Sequence, residues 1–214
     1  MVDRYDSLIR RAVPRYDEMI DRLVEHLPPD AHRILELGCG TGNLTLRLAE
    51  RFPRAAITFV DAAPEMISIT AERAAQRGIA ANLCPLAARF EELSLSPGTF
   101  DLVASCMSLH HVVDKAALYR SICGWLVPGG SLCFADELLG ATEHAQKIFW
   151  DRWLEFCRRP GHCTEDEVKS LVDHAAAHDH YVALPEHFEL LRAAGFKSTD
   201  CVWRNFMYSV VLAA

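Results

Sequence analysis

A glycine-rich segment, Glu36-Leu37-Gly38-Cys39-Gly40-Thr41-Gly42, constrains the fold of this chain more than any other feature. Its first two residues end the mostly apolar run Arg33–Leu37, which is typical of a buried strand. The segment then leads into a predicted helix over residues 41–52. Glycine allows a sharp backbone turn and lets a ligand approach without a Cβ clash. A glycine loop in this setting predicts a ligand site at the carboxyl end of a parallel strand.

The spacing of the glycines indicates which class of ligand the loop binds. Enzymes that bind dinucleotides carry Gly-x-Gly-x-x-Gly, which holds a pyrophosphate at a helix N-terminus. This chain has Gly-x-Gly-x-Gly after Glu36. A carboxylate beside the loop would repel a pyrophosphate, but it would suit an amino group or a positive sulfonium centre. Asp61, at the end of the next predicted strand, is placed to accept hydrogen bonds from both hydroxyls of a ribose. Its alternative role is to cap the following helix.

Strands and helices are predicted to alternate for about 110 residues, which indicates a doubly wound α/β sheet. The predicted strands are 33–37, 55–60, 80–84, 100–106 and 130–135, and the intervening helices include 64–77 and 114–126. Helices are also predicted over 15–26, 143–157 and 185–194, with another starting at Thr164. Two strands are expected around Arg204-Asn205. We predict one domain over 1–214: a helical lid (1–30), a cofactor-binding core (31–136), a helical cap (137–194) and a strand hairpin (195–214).

Composition limits the partners and the compartment. The chain has 22 basic and 29 acidic residues, and its formal charge of −7 argues against nucleic acid as a partner. Charges close to the N-terminus argue against a secretory signal, and no apolar run is long enough to cross a membrane. The eight cysteines include no Cys-x-x-Cys pair. They are expected to be buried thiols in a reducing cytoplasm, with a zinc or thiolate site as the alternative.

Four segments, in order, resemble the motifs of class I (Rossmann-like) S-adenosylmethionine-dependent methyltransferases. They are Ile34–Asn43, Asp61, the strand Phe100–Val103 and the turn Leu126–Gly130. The resemblance implies a seven-stranded, mostly parallel sheet with a reversed last hairpin. It also implies that S-adenosylmethionine is the cofactor, with Glu36 and the loop backbone at its methionine part and Asp61 at its ribose.

Further cofactor contacts are expected along the same edge. Met66 is placed to cover the adenine or to pack in the core. Arg89 stands where many relatives have an acid that contacts the adenine amino group, so the backbone amide of Phe90 is the alternative contact. The full predicted set is Glu36, Gly38, Cys39, Gly40, Gly42, Asp61, Ala62, Met66, Arg89, Phe90 and Ser105.

The acceptor side is less constrained by the sequence. His110 and His111 are the candidate general bases, because imidazole titrates near neutral pH, and His110 is the one preferred for the pocket. A structural role is equally consistent with both. Asp136 and Glu137 are expected to orient an amine or hydroxyl, or to satisfy backbone amides. Trp150 and Trp153 lie on a wide aromatic helix face, which serves as a pocket wall or as core packing.

The leading segment resembles the N-terminal lid of small class I methyltransferases and of carboxy-S-adenosylmethionine synthases. Tyr5, Arg11 and Tyr16 are expected to close over the cofactor or substrate, or to lie on the surface. The histidines at 174, 178 and 180 lack a strong metal-ligand motif, and no metal site is predicted.

Three functions remain open at this point. The first is transfer of a methyl group to an O, N or S atom of a small molecule. The second is modification of the cofactor itself, as in carboxy-S-adenosylmethionine synthases, which would need a cluster of anion-binding groups. The third is a non-catalytic partner that binds the cofactor. The sequence leaves open whether the chain is a monomer or a homodimer.

Overall fold

The computed structural model describes residues 2–214, with side chains from Tyr5 onward. It contains a seven-stranded sheet in the order β3-β2-β1-β4-β5-β7-β6. The strands are β1 (Arg33–Leu37), β2 (Ala56–Asp61), β3 (Leu83–Ala87), β4 (Phe100–Cys106), β5 (Leu126–Glu137), β6 (Thr199–Asn205) and β7 (Tyr208–Ala213). Strands β1 to β5 are parallel, and β7 runs antiparallel to both β5 and β6. The predicted doubly wound sheet with a reversed last hairpin is confirmed.

Eight helices are described: α1 (Val2–Ala12), α2 (Tyr16–Glu25), α3 (Asn43–Arg51), α4 (Pro64–Gln76), α5 (Lys115–Trp125), α6 (Glu143–Cys157), α7 (Glu165–His178) and α8 (Leu184–Ala194). Thr164 caps α7 with a reciprocal capping box through Glu167. Within the described residues, none of these helices is both long enough and apolar enough to cross a bilayer.

Side-chain alternation along the central strands divides the core between the two faces of the sheet. Ile34 belongs to the cluster that includes Met19 and Leu48, whereas its neighbour Leu35 belongs to the cluster with Tyr119 and Leu191. Successive side chains of a strand point to opposite faces, so a continuous apolar strand needs helices on both sides. Helices α2 and α3 cover one face, and α5 and α8 pack together on the other.

The two predicted helical segments each have members in different surroundings. Helix α2 contacts β5 and β7 directly and buries Met19 and Leu23, while Tyr16 at its start lines the cavity described below. Within residues 137–194, α6 contacts α1 whereas α8 packs against α5. The subdivision into lid, core, cap and hairpin stays a prediction.

Two strand positions differ from the sequence-based expectation. β3 is Leu83–Ala87 rather than 80–84, and it contains Pro85. Proline removes a backbone donor and is tolerated here because β3 is an edge strand that pairs only with β2. At the C-terminus, Arg204 and Asn205 belong to β6, and the chain reverses at Phe206-Met207 instead. Phe206 has a φ of 55°, which this tight reversal requires.

Candidate cofactor site and the adjoining histidine cluster

A cavity of about 310 Å³ lies at the carboxyl ends of β1, β2 and β4. Its size suits a small-molecule site. Its floor is the glycine loop, one wall follows β2 and β3, and the other wall follows β4. The lining residues are Tyr5, Tyr16, Glu36, Gly38, Cys39, Gly40, Thr41, Asn43, Leu44, Asp61, Ala62, Met66, Arg89, Phe90, Glu91, Cys106, Met107, Ser108, His111 and Val112.

The glycine loop passes close to the wall that follows β4. Gly38 has a φ of 76°, and a Cβ at this position would lie 1.8 Å from Ser108 Oγ. The Gly42 N–H donates to the Cys39 carbonyl at 2.8 Å, which closes the turn before α3. Gly42 and Ser105 are not among the lining residues, in contrast to the rest of the predicted cofactor set. Ser105 Oγ instead donates to the Leu37 carbonyl at 2.8 Å and ties β4 to β1.

Glu36 carries a buried carboxylate at the floor of the cavity. Neither of its oxygens has a hydrogen-bond partner within the described residues. Burial raises the pKa of Glu36 to about 8; the nearby Thr45 acts against this shift, and the Asp61 carboxylate adds to it. An unpartnered buried carboxylate is costly unless a ligand supplies a donor or a positive charge. Glu36 therefore fits a ligand that brings an ammonium or sulfonium group to the glycine loop.

Asp61 stands at the end of β2 with both oxygens only partly occupied. Oδ2 accepts from the Gly40 N–H at 2.9 Å, and Oδ1 accepts from the Ala63 N–H at 3.0 Å. A carboxylate offers about four acceptor positions, so each oxygen can accept one more hydrogen bond. Its position on the cavity wall fits a ribose diol, while the bond to Ala63 also stabilises the start of α4.

The adenine end of the predicted site is formed by Met66, Arg89 and Phe90, which all line the cavity. The Arg89 side chain is 66% exposed, and its Nε lies 3.7 Å from Glu91 Oε2. The guanidinium of Arg89 is therefore not held at this wall, which Arg89 forms mainly with its aliphatic stem and its backbone. Which of these groups contacts an adenine stays a prediction.

Helix α1 is held over the cavity by Asp6, which the sequence reasoning missed. Asp6 accepts from Thr41 Oγ1 at 2.6 Å, from Asn43 Nδ2 at 3.1 Å and from Arg73 at 3.1 Å. Tyr5, the preceding residue, and Tyr16 at the start of α2 line the cavity as expected. The tether joins α1 to the glycine loop and α4, and its three partners lie far from Asp6 in sequence.

The two candidate bases occupy different positions. His111 lines the cavity and its side chain is 48% exposed. His110 is buried and is not among the lining residues, so the sequence-based preference for His110 in the pocket is not supported by this geometry. Its Nδ1 lies 2.5 Å from Asp136 Oδ1, and Asp136 Oδ2 accepts from its backbone N–H at 2.9 Å. Burial lowers the pKa of His110, but the Asp136 carboxylate outweighs this and raises it overall.

A second carboxylate, Asp179, completes this cluster and was also missed. It follows α7, and its Oδ1 lies 2.9 Å from His111 Nδ1 and 3.9 Å from His110 Nε2. Tyr181 donates to its other oxygen at 2.6 Å. Burial raises the pKa of Asp179, yet the His111 and Tyr181 side chains outweigh it and lower the pKa to about 2. Neither Asp136 nor Glu137 lines the cavity, and burial raises the pKa of Glu137 to about 7.

Besides Asp136 and Glu137, three more residues predicted to contact substrate lie outside the cavity. Arg11 forms a two-pronged pair with Glu167, with both contacts at 2.8 Å, and so ties α1 to α7. Trp153 is buried, and its indole N–H donates to the Ala12 carbonyl at 2.9 Å. Trp150 packs beside it with ring centroids 5.0 Å apart and lines a separate, shallower depression near Leu139. The aromatic face of α6 packs against the protein, so it does not form the cavity wall.

Comparison with known proteins agrees with this geometry. A family model described as a methyltransferase domain matches residues 34–130. The chain is 24% identical to the carboxy-S-adenosyl-L-methionine synthase of Shewanella loihica, over 98% of the chain and 88% of that protein. It is 31% identical to the demethylmenaquinone methyltransferase of Thermus thermophilus, over 64% of the chain and 61% of that enzyme.

The fold has a counterpart among solved structures. Phosphoethanolamine N-methyltransferase 2 of Haemonchus contortus, solved with phosphomonomethylethanolamine and S-adenosylhomocysteine, matches with a TM-score of 0.65 at 20% identity. The match covers 86% of this chain and 38% of that one, and it shows a shared fold. With the glycine loop, Glu36 and Asp61 arranged as described, residues 34–130 form a methyltransferase domain similar to those of class I S-adenosylmethionine-dependent methyltransferases, and S-adenosylmethionine is its cofactor.

Proposed function

We propose that this enzyme transfers the methyl group of S-adenosylmethionine to an O, N or S nucleophile of a small molecule. The observation that carries the proposal is the roofed cavity, in which Tyr5 and Tyr16 stand over the glycine loop and leave about 310 Å³ for the ligands. A polymer would need an open groove with basic groups along it. The acidic balance of the chain, with a net charge of −7, points in the same direction.

Each part of the cavity has a role in this proposal. S-adenosylmethionine, when bound, supplies an electrophilic methyl group on a sulfonium centre. Glu36 binds the positive end of the cofactor, and Asp61 accepts hydrogen bonds from the ribose hydroxyls. Tyr5 and Tyr16 exclude water and hold the acceptor in line with the methyl group, which is the main requirement of such a displacement.

His111 is the residue placed to remove a proton from the acceptor. It lines the cavity and is partly exposed, and its ring is oriented by the adjacent Asp179. His110 does not line the cavity and acts instead as a positioning residue, because Asp136 and Asp179 hold it behind the wall. An acceptor atom that is already deprotonated would not need His111 as a base. The loss of methyl-transfer rate in a His111 variant therefore indicates whether the acceptor must lose a proton.

The second candidate, a synthase of carboxy-S-adenosylmethionine, is favoured by the relatives that match nearly the whole chain. That reaction needs positive groups to hold a further carboxylate near the methyl group. Among the lining residues that the structure describes, Arg89 is the one with a permanent positive charge, and its guanidinium faces Glu91 on the surface. This cavity is therefore better suited to a neutral or cationic acceptor.

The test is incubation of the pure enzyme with S-adenosylmethionine carrying a labelled methyl group and a fractionated metabolite extract. We expect label in a small-molecule fraction. Label that never leaves the cofactor, despite tight binding, would contradict the proposal, and a carboxylated cofactor in the mass spectrum would favour the synthase. D61N should reduce transfer at low cofactor concentration, whereas D151N, on the exposed face of α6, should match the wild type.

The eight cysteines are all free thiols, which fits a reducing compartment. We infer that the enzyme works in the cytoplasm.

The oligomeric state, monomer or homodimer, is a separate question. Gel filtration with light scattering measures it directly.

A further inference from the structure

The cluster behind the β4 wall contains three groups that ligate metals. One nitrogen each of His110 and His111 and one oxygen of Asp179 all lie within 4.8 Å of one another. Asp179 Oδ1 is 2.9 Å from His111 Nδ1 and 3.9 Å from His110 Nε2. Ligands of a tetrahedral zinc ion with bonds of ~2.1 Å are separated by about 3.4 Å, so only small side-chain rotations are needed to bring the three atoms into a first coordination shell.

The Asp179 carboxylate supplies an independent reason to expect a ligand. Its side chain is 5% exposed, and Oδ1 has no hydrogen-bond partner among the described residues. The His111 nitrogen is near this oxygen but lacks the alignment of a hydrogen bond. The neighbouring His111 ring offsets part of the cost of burying this carboxylate, and a cation between the three groups would satisfy Oδ1 directly.

The surroundings hold the three groups in place. Asp136 lies 2.5 Å from Nδ1 of His110, which leaves Nε2 directed towards Asp179. This is the carboxylate–histidine–metal arrangement that fixes the tautomer of a ligating histidine. The chain at Asp179 is pinned by the His180 N–H, which donates to the His110 carbonyl at 2.7 Å, and by Lys115, which donates to the His180 carbonyl. Tyr181 occupies the second oxygen of Asp179.

We propose that His110, His111 and Asp179 bind a divalent transition-metal cation, for which Zn²⁺ is the representative. Two imidazoles and one carboxylate are a donor set for Zn²⁺ or Fe²⁺, whereas Mg²⁺ and Ca²⁺ prefer oxygen ligands alone. Three protein ligands leave at least one coordination position open, and His111 places the site at the edge of the cofactor cavity. The open position suits an oxygen or nitrogen atom of a bound small molecule. Methyl transfer itself does not depend on this site, but a metal-bound His111 cannot accept a proton, so His111 serves as the base only in the metal-free enzyme.

The first test is uptake of Zn²⁺ alone by the chelator-treated, full-length protein in equilibrium dialysis. We expect one zinc ion per chain for the wild type and at least tenfold weaker binding for H111A and D179N. H144A, which removes an exposed histidine of α6, is the matched control and should bind like the wild type. Absence of zinc uptake by the wild type, or equal binding by all variants, overturns the proposal.

Cobalt substitution distinguishes this site from binding to the eight cysteines, because thiolates are also ligands of zinc. Co²⁺ at the proposed site should show the visible bands of nitrogen and oxygen coordination without a thiolate charge-transfer band. A thiolate band that survives in H111A would place the ion on cysteines and overturn the assignment. Because His111 is half-exposed, H111A is expected to fold. The second readout is thermal stability: zinc should raise the Tm of the wild type and leave the Tm of folded H111A unchanged.

Discussion

A Cβ atom added at Gly38 would lie 1.8 Å from Ser108 Oγ, so the glycine loop and the β4 wall meet at a distance that only glycine permits. Gly38 also has a φ of 76°. We expect G38A to lower the free energy of unfolding by about 3 kcal/mol, as the sum of left-handed strain and overpacking. Urea denaturation measures the loss.

Gly40 is the matched control for this prediction. It has a φ of 52°, but nothing lies within 4 Å of a Cβ there, so G40A should cost only about 1 kcal/mol of backbone strain. Adding S108G to G38A should recover the steric part of the loss. Equal losses for G38A and G40A would show that the contact with Ser108 is not what requires glycine.

Glu36 predicts a pH-dependent affinity for the cofactor. Its pKa is about 8 in the folded protein, compared with about 4.5 for an ordinary glutamate. The folded state therefore binds more protons between these values, and the stability of the ligand-free protein should fall as pH rises from about 4.5 to about 8. The ionised form binds a positive ligand, so the affinity for S-adenosylmethionine should rise over the upper part of the same range.

The E36Q variant tests this relationship by calorimetry at several pH values. It should remove both pH dependences and weaken cofactor binding about 10- to 100-fold, which corresponds to roughly 1.4–2.7 kcal/mol. Cofactor binding to the wild type near pH 7 should release a proton, and binding to E36Q should not. If the two proteins bind with the same pH profile, Glu36 does not face the positive end of the cofactor.

The contacts of Asp6 lead us to expect that α1 controls the rate of cofactor release. It is the common acceptor for Thr41, Asn43 and Arg73, and D6A would free α1 from the glycine loop. We expect cofactor dissociation to accelerate about tenfold, on the basis of lost hydrogen bonds with a charged acceptor. Stopped-flow displacement measures this rate. D17A, which removes the exposed Arg10–Asp17 pair in the same region, should leave it unchanged.

His187 predicts a second pH effect, on stability. It is buried in α8, its Nδ1 lies 2.7 Å from Tyr119 Oη, and burial lowers its pKa to about 4. The unfolded chain protonates this histidine below about 6.5, so stability should be lost as pH falls from about 6.5 to about 4. The size of this effect is on the order of 3 kcal/mol.

H187N keeps an acceptor for the Tyr119 hydroxyl but cannot titrate. Denaturation at several pH values should show a smaller difference between the variant and the wild type at pH 4.5 than at pH 7. A constant difference between the two proteins at every pH would exclude His187 as the source. The neighbouring Lys115 contributes to the low pKa of His187, since it adds a positive charge nearby.

The cofactor half of the site was predictable because its residues lie in short segments with fixed relations to strands. Glu36 and Gly38 are adjacent to β1, and Asp61 ends β2, so the parallel sheet brings them together wherever the helices lie. Local sequence also predicted the start of α7 at Thr164, and the signal is local because the capping residues Thr164 and Glu167 lie within one helical turn.

The missed residues depend on contacts distant in sequence. Asp6 contacts Thr41 and Arg73 because α1 packs over the glycine loop. Asp179 lies close to His110, although three helices separate the two residues in sequence. No periodicity connects such positions. The helix face of Trp150 and Trp153 was visible in the sequence, but its orientation was decided by the carbonyl of Ala12, which the Trp153 indole contacts.

The most direct test of the proposed methyl transfer is a crystal structure of the enzyme with S-adenosylhomocysteine. We expect the amino group at Glu36, the ribose hydroxyls at Asp61, and the sulfur directed towards the wall that contains Ser108 and His111. A nucleoside bound away from Asp61, or a sulfur that faces the glycine loop with no space for an acceptor beyond it, would contradict the proposed methyl transfer.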